Sequence, residues 1–160
     1  MADPVGVSCR IETEDFITPA LRERMDRLGR AELAQLLDNI GSGLETYAQM
    51  RFEQKVGPDG KAWADYSPNT TFRARRERPQ MLRDNGGLYD SVAREGVHEV
   101  LLDKKAVRIG TNLEYARIHQ LGGMAGRGRK VRIPARPYLG VSDGDRQSIL
   151  GLVRDFLEDA

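Results

Sequence analysis

Apolar side chains recur at helical spacing along one long segment, residues 31–54. They form a single stripe: Leu33, Leu36, Leu37, Ile40, Leu44, Tyr47, Ala48 and Phe52. Such a stripe predicts an amphipathic helix roughly 36 Å long. Gly41 and Gly43 interrupt it, and each costs about 1 kcal/mol relative to alanine. We therefore expect either a kink here or close packing of another backbone against the helix.

Two further helices are predicted at the ends of the chain. Thr18 followed by Pro19 is a helix start, and Gly29 is expected to end that short helix. Ser142 and Asp145 have capping-box spacing before a final helix. The apolar face of that helix consists of Ile149, Leu150, Val153, Phe156 and Leu157.

Strand patterns lie at the N-terminus and in the second half. Alternating apolar residues at 5–11 predict a half-buried strand, and residues 97–102 and 106–110 predict an antiparallel hairpin. Thr111 and Glu114 have the spacing of a capping box, which predicts a helix from there through His119. Ser67 and Pro68 predict the start of a short basic helix.

Strands and helices are segregated along the chain, which favours an α+β fold over an alternating parallel sheet. We predict a small antiparallel sheet packed with a long N-terminal helix and a C-terminal helix, plus an extended basic loop or arm. The length of 160 residues fits one domain, residues 1–160. Residues 1–55 hold the first strand and helices, and residues 122–138 the loop and arm.

Charge and composition narrow the function classes. The net charge of +1 gives no overall field for nucleic-acid binding, and the single cysteine, Cys9, excludes an intrachain disulfide. No apolar run reaches the ~20 residues that span a membrane, and residues 1–10 lack the apolar core of a signal peptide. We expect no membrane association, and a location in the cytoplasm or in a particle assembled there.

Catalytic and metal motifs are not found. His98 and His119 do not form a zinc-binding pair, and no cofactor or metal is expected. Cys9 is read as a small buried side chain, and His119 as a helix-end imidazole that donates to a nearby carbonyl. Asp143 and Asp145 are read as carboxylates that complement a helix dipole. The chain is expected not to be an enzyme, although a hydrolase using His119 with a carboxylate remains an alternative.

Two basic segments are candidate contact sites. One contains Arg73, Arg75 and Arg76, and the other contains Arg127, Arg129, Lys130 and Arg132, separated by glycines. A flexible basic loop can reach phosphates or an acidic protein groove, or it can simply be solvated. Binding of nucleic acid without sequence preference through these segments is therefore an alternative function.

Residues 115–122 (YARIHQLG) followed by residues 133–140 (IPARPYLG) resemble the phage virion-morphogenesis or tail-completion family. That family includes the tail-completion S protein of temperate contractile-tailed phages and the G protein of Mu-like phages. The turn at Pro58, Asp59 and Gly60, followed by Trp63, agrees with the family in order, as do residues 82–91 and 107–111. Tyr115, His119 and Gln120 carry the family motif and are expected to be structural.

The resemblance implies a structural protein of the phage neck or tail. By analogy it forms a homo-oligomeric ring of six copies at the head–tail junction, with the tail tube or tail terminator and the head connector as partners. We expect residues 124–132 to contact genome DNA or a partner. Residues 133–137 have too many prolines for a central strand. We expect an inter-subunit arm here, with contacts from Ile133, Pro134, Arg136 and Tyr138, in which Arg136 could fork onto a carboxylate of its own subunit or the next. The protein would be located in the virion and assembled in the host cytoplasm.

Overall fold

The computed structural model describes residues 6–12, 17–67, 81–83 and 85–159. The helices in these ranges are α1 (Pro19–Asp26), α2 (Arg30–Gln54), α3 (Gly87–Ala93), α4 (Ala116–Leu121) and α5 (Asp143–Asp159). The strands are β1 (Val7–Glu12), β2 (Glu99–Leu101), β3 (Ala106–Thr111), β4 (Gly123–Ala125) and β5 (Val131–Ile133). The α+β prediction is confirmed.

Three strands form an antiparallel sheet in the order β1-β3-β2. Val107 lies opposite Ile11 on one side and Val100 on the other. Because side chains alternate across a strand, Val107 and Ile109 face inward while Arg108 faces outward and is exposed. The predicted hairpin is confirmed, with a short 3₁₀ turn at Leu102–Lys104 between its strands.

Helix α2 packs against β3, α3 and α5 and is the centre of the core. Its stripe is buried as the spacing predicts, at Leu36, Leu37, Ile40, Leu44, Ala48 and Phe52. The helix runs through Gly41 and Gly43 as one element. A Cβ on Gly41 would lie 2.1 Å from Cδ2 of His98. The close neighbour is therefore an imidazole ring rather than the other backbone that we expected.

Both predicted terminal helices begin where their capping residues indicate. The Thr18 hydroxyl accepts from the Leu21 N–H at 3.4 Å. The Ser142 hydroxyl accepts from the Asp145 N–H at 3.1 Å, and the Asp145 carboxylate accepts from the Ser142 N–H at 2.9 Å. Reciprocal bonds of this kind satisfy N–H groups that the first helical turn leaves unpaired.

Two predicted helix boundaries are wrong. Gly29 does not end α1, which stops at Asp26; instead Gly29 precedes α2, and its N–H donates to Glu32 at 2.8 Å. Thr111 does not start a helix either. It is the last residue of β3, because its β-branched side chain occupies the inward position that follows Val107 and Ile109, and α4 begins only at Ala116.

Candidate interaction site

Residues 136–140 cross the molecule without regular structure and are fastened by the side chain of Gln120. Its Oε1 accepts from the N–H groups of Tyr138 and Leu139, both at 3.0 Å, and its Nε2 donates to the Leu139 carbonyl at 2.8 Å. Pro134 and Pro137 have no N–H group to donate to a strand ladder here. One amide side chain therefore supplies the hydrogen bonds that a neighbouring strand would otherwise make.

Arg136 also fastens this segment, and it does so within its own subunit. Its side chain is 7% exposed, and it donates to the carbonyls of Ala64 and Asp65, each at 2.8 Å. Its backbone N–H donates to the His119 carbonyl at 2.7 Å. The guanidinium fork closes on two backbone carbonyls, not on the carboxylate that the sequence suggested.

Tyr138 is fully buried, and its hydroxyl donates to the Ala116 carbonyl at 2.9 Å. Burial raises the pKa of this phenol, and the neighbouring Tyr115 raises it further. Because Arg136 and Tyr138 are both inside the subunit, the prediction that they form an inter-subunit arm is corrected for these two residues. Ile133 and Pro134 are half-buried, and their part in an arm remains a prediction.

Trp63 connects the same segment to the turn that precedes it in sequence. Its Nε1 donates to the Pro137 carbonyl at 2.8 Å, and its ring meets Phe52 edge-on at 5.6 Å. The turn itself closes through a 3.0 Å bond from the Gly60 N–H to the Gly57 carbonyl. We call Trp63, Gln120, Arg136 and Tyr138 the clasp.

Pro58 packs against the end of the clasped segment. A Cβ on Gly140, which has a φ of +145°, would lie 2.6 Å from Cγ of Pro58, so only glycine fits there. Asp59 is on the exposed side of the turn and accepts from the Lys61 N–H at 3.1 Å. That bond lowers the pKa of the Asp59 carboxyl. Residues of the motif that are distant in sequence thus form one structural unit.

Tyr115 and His119 occupy one side of this unit. Tyr115 is 42% exposed and meets the His119 ring edge-on at 6.2 Å. The buried Nδ1 of His119 has no hydrogen-bond partner among the described residues, so the expected bond to a neighbouring carbonyl is not observed for this nitrogen. Burial lowers the pKa of His119, and the charge of Arg136 lowers it further. Both effects favour the neutral imidazole.

The basic loop predicted at residues 124–132 is a hairpin in the structure. Strands β4 and β5 pair antiparallel, with Met124 opposite Arg132 and Ala125 opposite Val131. The turn between them holds Gly126 at a φ of 77° and Gly128 at 73°, values that glycine adopts without strain. We call residues 123–133 the basic hairpin.

The basic hairpin carries charge and apolar surface together. Arg127, Arg129, Lys130 and Arg132 are all exposed. Of the 25 Lys and Arg residues of the chain, six lie between residues 115 and 142, and none of its 24 Asp and Glu residues does. Among the described residues, five large apolar side chains are exposed, and four of them are in this region: Tyr115, Leu121, Met124 and Val131.

Several ion pairs elsewhere in the molecule could not be predicted from spacing. Arg51 of α2 forms a salt bridge with Asp145 of α5, with side chains 9% and 15% exposed. The carboxylate of Glu45, a residue only 4% exposed, accepts from the N–H groups of Gly96, Val97 and His98 at 2.7–3.1 Å. The salt bridge with Arg51 thus gives Asp145 a partner in addition to its predicted role at the helix start.

His98 lies between two carboxylates. Its Nδ1 is 2.7 Å from Glu45, and its Nε2 is 3.1 Å from Asp38. In the described part of the chain, no group of three His, Cys, Asp or Glu residues is arranged to hold a metal ion. Cys9 lies half-buried on β1, and burial raises the pKa of its thiol, although the charge of Arg51 opposes this.

Two of the clefts formed by the described residues are shallow. One, of about 180 Å³, lies between the end of α2 and the start of α5, with Tyr47, Met50 and Pro58 in its walls. The other, of about 290 Å³, lies beside β3 and contains Glu99 and Arg108, which form an ion pair. Both are below the usual size of small-molecule sites, about 300–1,000 Å³.

The remaining predicted contact residues, Arg73, Arg75 and Arg76, lie outside the described residues. None of the described helices combines the length and apolarity needed to cross a membrane. Of the clasp, Trp63 and Gln120 were predicted to be structural, whereas Arg136 and Tyr138 were predicted to contact a neighbouring subunit. The exposure of the apolar side chains of Leu121, Met124 and Val131 was not predicted, because sequence spacing does not reveal whether a short strand is covered.

Two comparisons of the sequence with known proteins give matches that cover nearly the whole chain. A model of the phage virion morphogenesis family matches residues 13–158. The chain is 34% identical over 152 residues to Mu-like prophage FluMu G protein 2 of Haemophilus influenzae, covering 95% of this chain and 96% of that protein. No solved structure matches the chain. The family match spans the clasp, the basic hairpin and the long helices together, and the chain belongs to the phage virion morphogenesis family.

Proposed function

We propose that this chain is a non-enzymatic structural subunit that forms or joins a ring at the head–tail junction during virion assembly. The family match supports a role in building the virion. Six copies fit the symmetry expected of a tail, and the tail terminator and head connector are the expected neighbours. The protein would be part of the virion neck and would be assembled in the host cytoplasm.

One structural observation supports this proposal in addition to the family match. The clasp fixes residues 136–140 to the core, and the basic hairpin joins this segment directly. A surface held at a defined position suits a subunit that joins a ring, because such a subunit must meet its neighbouring virion proteins in one orientation. The described clefts are small, which gives no comparable support to an enzymatic role.

The test removes the gene for this chain from its phage and restores it from a plasmid. We expect separate filled heads and tails without the protein, and complete particles with it. Gold-labelled antibody should then mark the neck, and quantitative mass spectrometry should give six copies per particle. Complete infectious particles formed without the protein would overturn the proposal, as would label located only at another part of the virion.

A second function, nucleic-acid binding without sequence preference, is favoured by the absence of any acidic residue between 115 and 142. It predicts binding to duplex DNA that weakens steeply as salt rises. Fluorescence anisotropy with a labelled duplex between 50 and 200 mM salt measures this. Binding that is absent or insensitive to salt would eliminate this function.

A further inference from the structure

The basic hairpin exposes apolar side chains on both of its faces. Met124 lies opposite Arg132, and Val131 lies opposite Ala125. Because consecutive residues of a strand face opposite sides, Met124 and Val131 belong to different faces of the ribbon. They are 50% and 55% exposed, and Leu121, just before the hairpin, is 60% exposed. Neither face of the ribbon is therefore fully covered by the rest of the subunit.

The charges are concentrated at the end of the ribbon. Arg127, Arg129 and Lys130 lie in or beside the turn between β4 and β5, while Arg132 is on β5. The hairpin thus has a basic tip and apolar sides. A partner that buries both sides must surround the ribbon, so a cleft fits better than a flat surface. Carboxylates at the bottom of that cleft would complement the tip.

DNA is a poorer fit to the same features. Phosphate contacts account for the affinity of binding without sequence preference, and they would use the basic tip and Arg132 but none of the apolar side chains. The apolar sides would remain in water, which is unfavourable. An exposed apolar patch of this kind is typical of a protein interface. Protein interfaces are enriched in Met and Arg, and Met124 and Arg132 are cross-strand neighbours in this hairpin.

The two clefts described above do not offer a matching surface to the hairpin of a second copy. In the cleft lined by Met50, the carboxylate of Asp145 is already bound by Arg51. In the cleft beside β3, the carboxylate of Glu99 is already bound by Arg108. Neither cleft offers an unpaired carboxylate to a basic tip.

We propose that the basic hairpin is a docking finger that enters a cleft on a different virion protein, with apolar walls and a carboxylate-lined floor. This inference rests on the proposed role in virion assembly and adds the chemistry of the partner. Ring contacts between copies would then use other surfaces of the subunit.

The test places the photo-crosslinking residue benzoylphenylalanine at Met124 in the full-length protein, in particles assembled with that protein. The matched control places it at Asn39, an exposed position of α2. After irradiation, mass spectrometry identifies the attached peptide. We expect Met124, and not Asn39, to attach to one other virion protein, at a peptide that combines apolar residues with Asp or Glu.

Two variants separate the sides of the finger from its tip, each made in the protein that carries the crosslinker. Val131→Thr with Leu121→Ser keeps every charge, whereas Arg127→Gln with Arg129→Gln and Lys130→Gln keeps every apolar side chain. We expect each to reduce the crosslink at least tenfold. Thermal unfolding checks that both variants fold. If one variant does not fold, the crosslink from position 124 in the otherwise unchanged protein tests the proposal.

The outcomes distinguish this inference from the proposed function. An adduct with DNA, an adduct with a second copy, or no adduct above the Asn39 control would overturn the docking finger while the protein is still found in the neck. Full crosslinking by the first variant would also overturn it, since only the tip would then matter. Complete particles that lack the protein would overturn both.

Discussion

Gln120 is the residue on which the clasp depends most, because one side chain makes three hydrogen bonds to residues 138 and 139. Replacing Gln120 by alanine leaves two N–H groups and one carbonyl without that partner. We expect Gln120→Ala to lower the free energy of unfolding by about 2–4 kcal/mol, because a buried polar group left unpaired costs about 1–3 kcal/mol. Urea unfolding followed by Trp63 fluorescence measures this.

The matched control for this change is Gln147→Ala, on the exposed side of α5. A surface substitution of this kind should change the stability by less than about 0.5 kcal/mol. Equal effects of the two substitutions would show that the amide of Gln120 does not hold the clasp.

Glu45 is the second residue whose chemistry gives a prediction, in this case for acid stability. Burial alone would raise the pKa of this carboxyl, but the hydrogen bonds from His98 and Gly96 outweigh it and hold the pKa below 4.5. A carboxyl with a lowered folded pKa contributes stability that is fully present above pH 4.5 and is lost as the pH falls through the folded pKa.

We therefore expect Glu45→Gln to cost about 2–3 kcal/mol at pH 7 and to lose less stability than the wild type on acidification below pH 4.5. The measurement is the free energy of unfolding from pH 7 to pH 3. Glu53→Gln, an exposed residue on the same helix, serves as the control. If the Glu45→Gln and wild-type curves stayed parallel throughout, Glu45 would not be the titrating group.

At the scale of the element, α2 offers two glycines in one helix with opposite expected responses. A Cβ on Gly41 would meet the His98 ring at 2.1 Å, whereas a Cβ on Gly43 has its nearest neighbour at 3.8 Å. The His98 ring cannot easily move away, because Glu45 and Asp38 bind its two nitrogens.

We expect Gly43→Ala to stabilise the protein by about 0.5–1 kcal/mol, since alanine is the better helix former. Gly41→Ala should instead destabilise it by about 1–3 kcal/mol, because overpacking forces the neighbour to shift. Thermal and urea unfolding of both variants test this pair. Stabilisation by Gly41→Ala would mean that His98 does not pack on the helix as described.

Helix α2 also shows which features could be predicted from the sequence and which could not. Its stripe from Leu36 to Phe52 could be predicted because burial on one side of a helix imposes a spacing of three and four. The reason for Gly41 could not, because His98 is distant in sequence and comes into contact only through folding. The prediction that Thr111 starts a helix was wrong for a related reason. Its spacing with Glu114 fits a helix cap, but its side chain also fits an inward position of β3, and packing of the sheet favours the strand.

Some features of the clasp and of the basic hairpin could likewise be predicted from the sequence, and others could not. The order of the motif residues indicated that residues 133–140 belong with Trp63 and Gln120, but not that Arg136 turns inward. The sequence pattern of an arginine between prolines is equally compatible with an exposed contact residue and with a buried one. In the hairpin, the charges were evident from the sequence, whereas the pairing of Met124 with Arg132 depends on a turn that glycines at positive φ make possible.

At the scale of the whole molecule, charge is segregated although the total is +1. Every acidic residue lies outside residues 115–142, so one region is purely basic and the rest of the chain is acidic on balance. Sequence-wide net charge therefore understates the field at the hairpin. Screening acts over roughly 8 Å at physiological salt, so a partner senses the local charge of the finger rather than the average.

Arg51 and Asp145 connect the two long helices across the molecule, and this salt bridge gives the last prediction. The pair is mostly buried, with side chains 9% and 15% exposed. Losing one partner leaves the other charge poorly solvated, so we expect Arg51→Met and Asp145→Asn each to cost about 3–5 kcal/mol. The double variant should cost less than their sum, with a coupling of about 1–3 kcal/mol.

The exposed pair of Arg27 and Glu23 on α1, 2.6 Å apart, is the control for this cycle. Its coupling should be only about 0.3–0.5 kcal/mol, because water screens both charges. Urea unfolding of the single and double variants of both pairs gives the two coupling energies. If the buried pair showed no more coupling than the exposed one, the contact between α2 and α5 would rest on apolar packing alone.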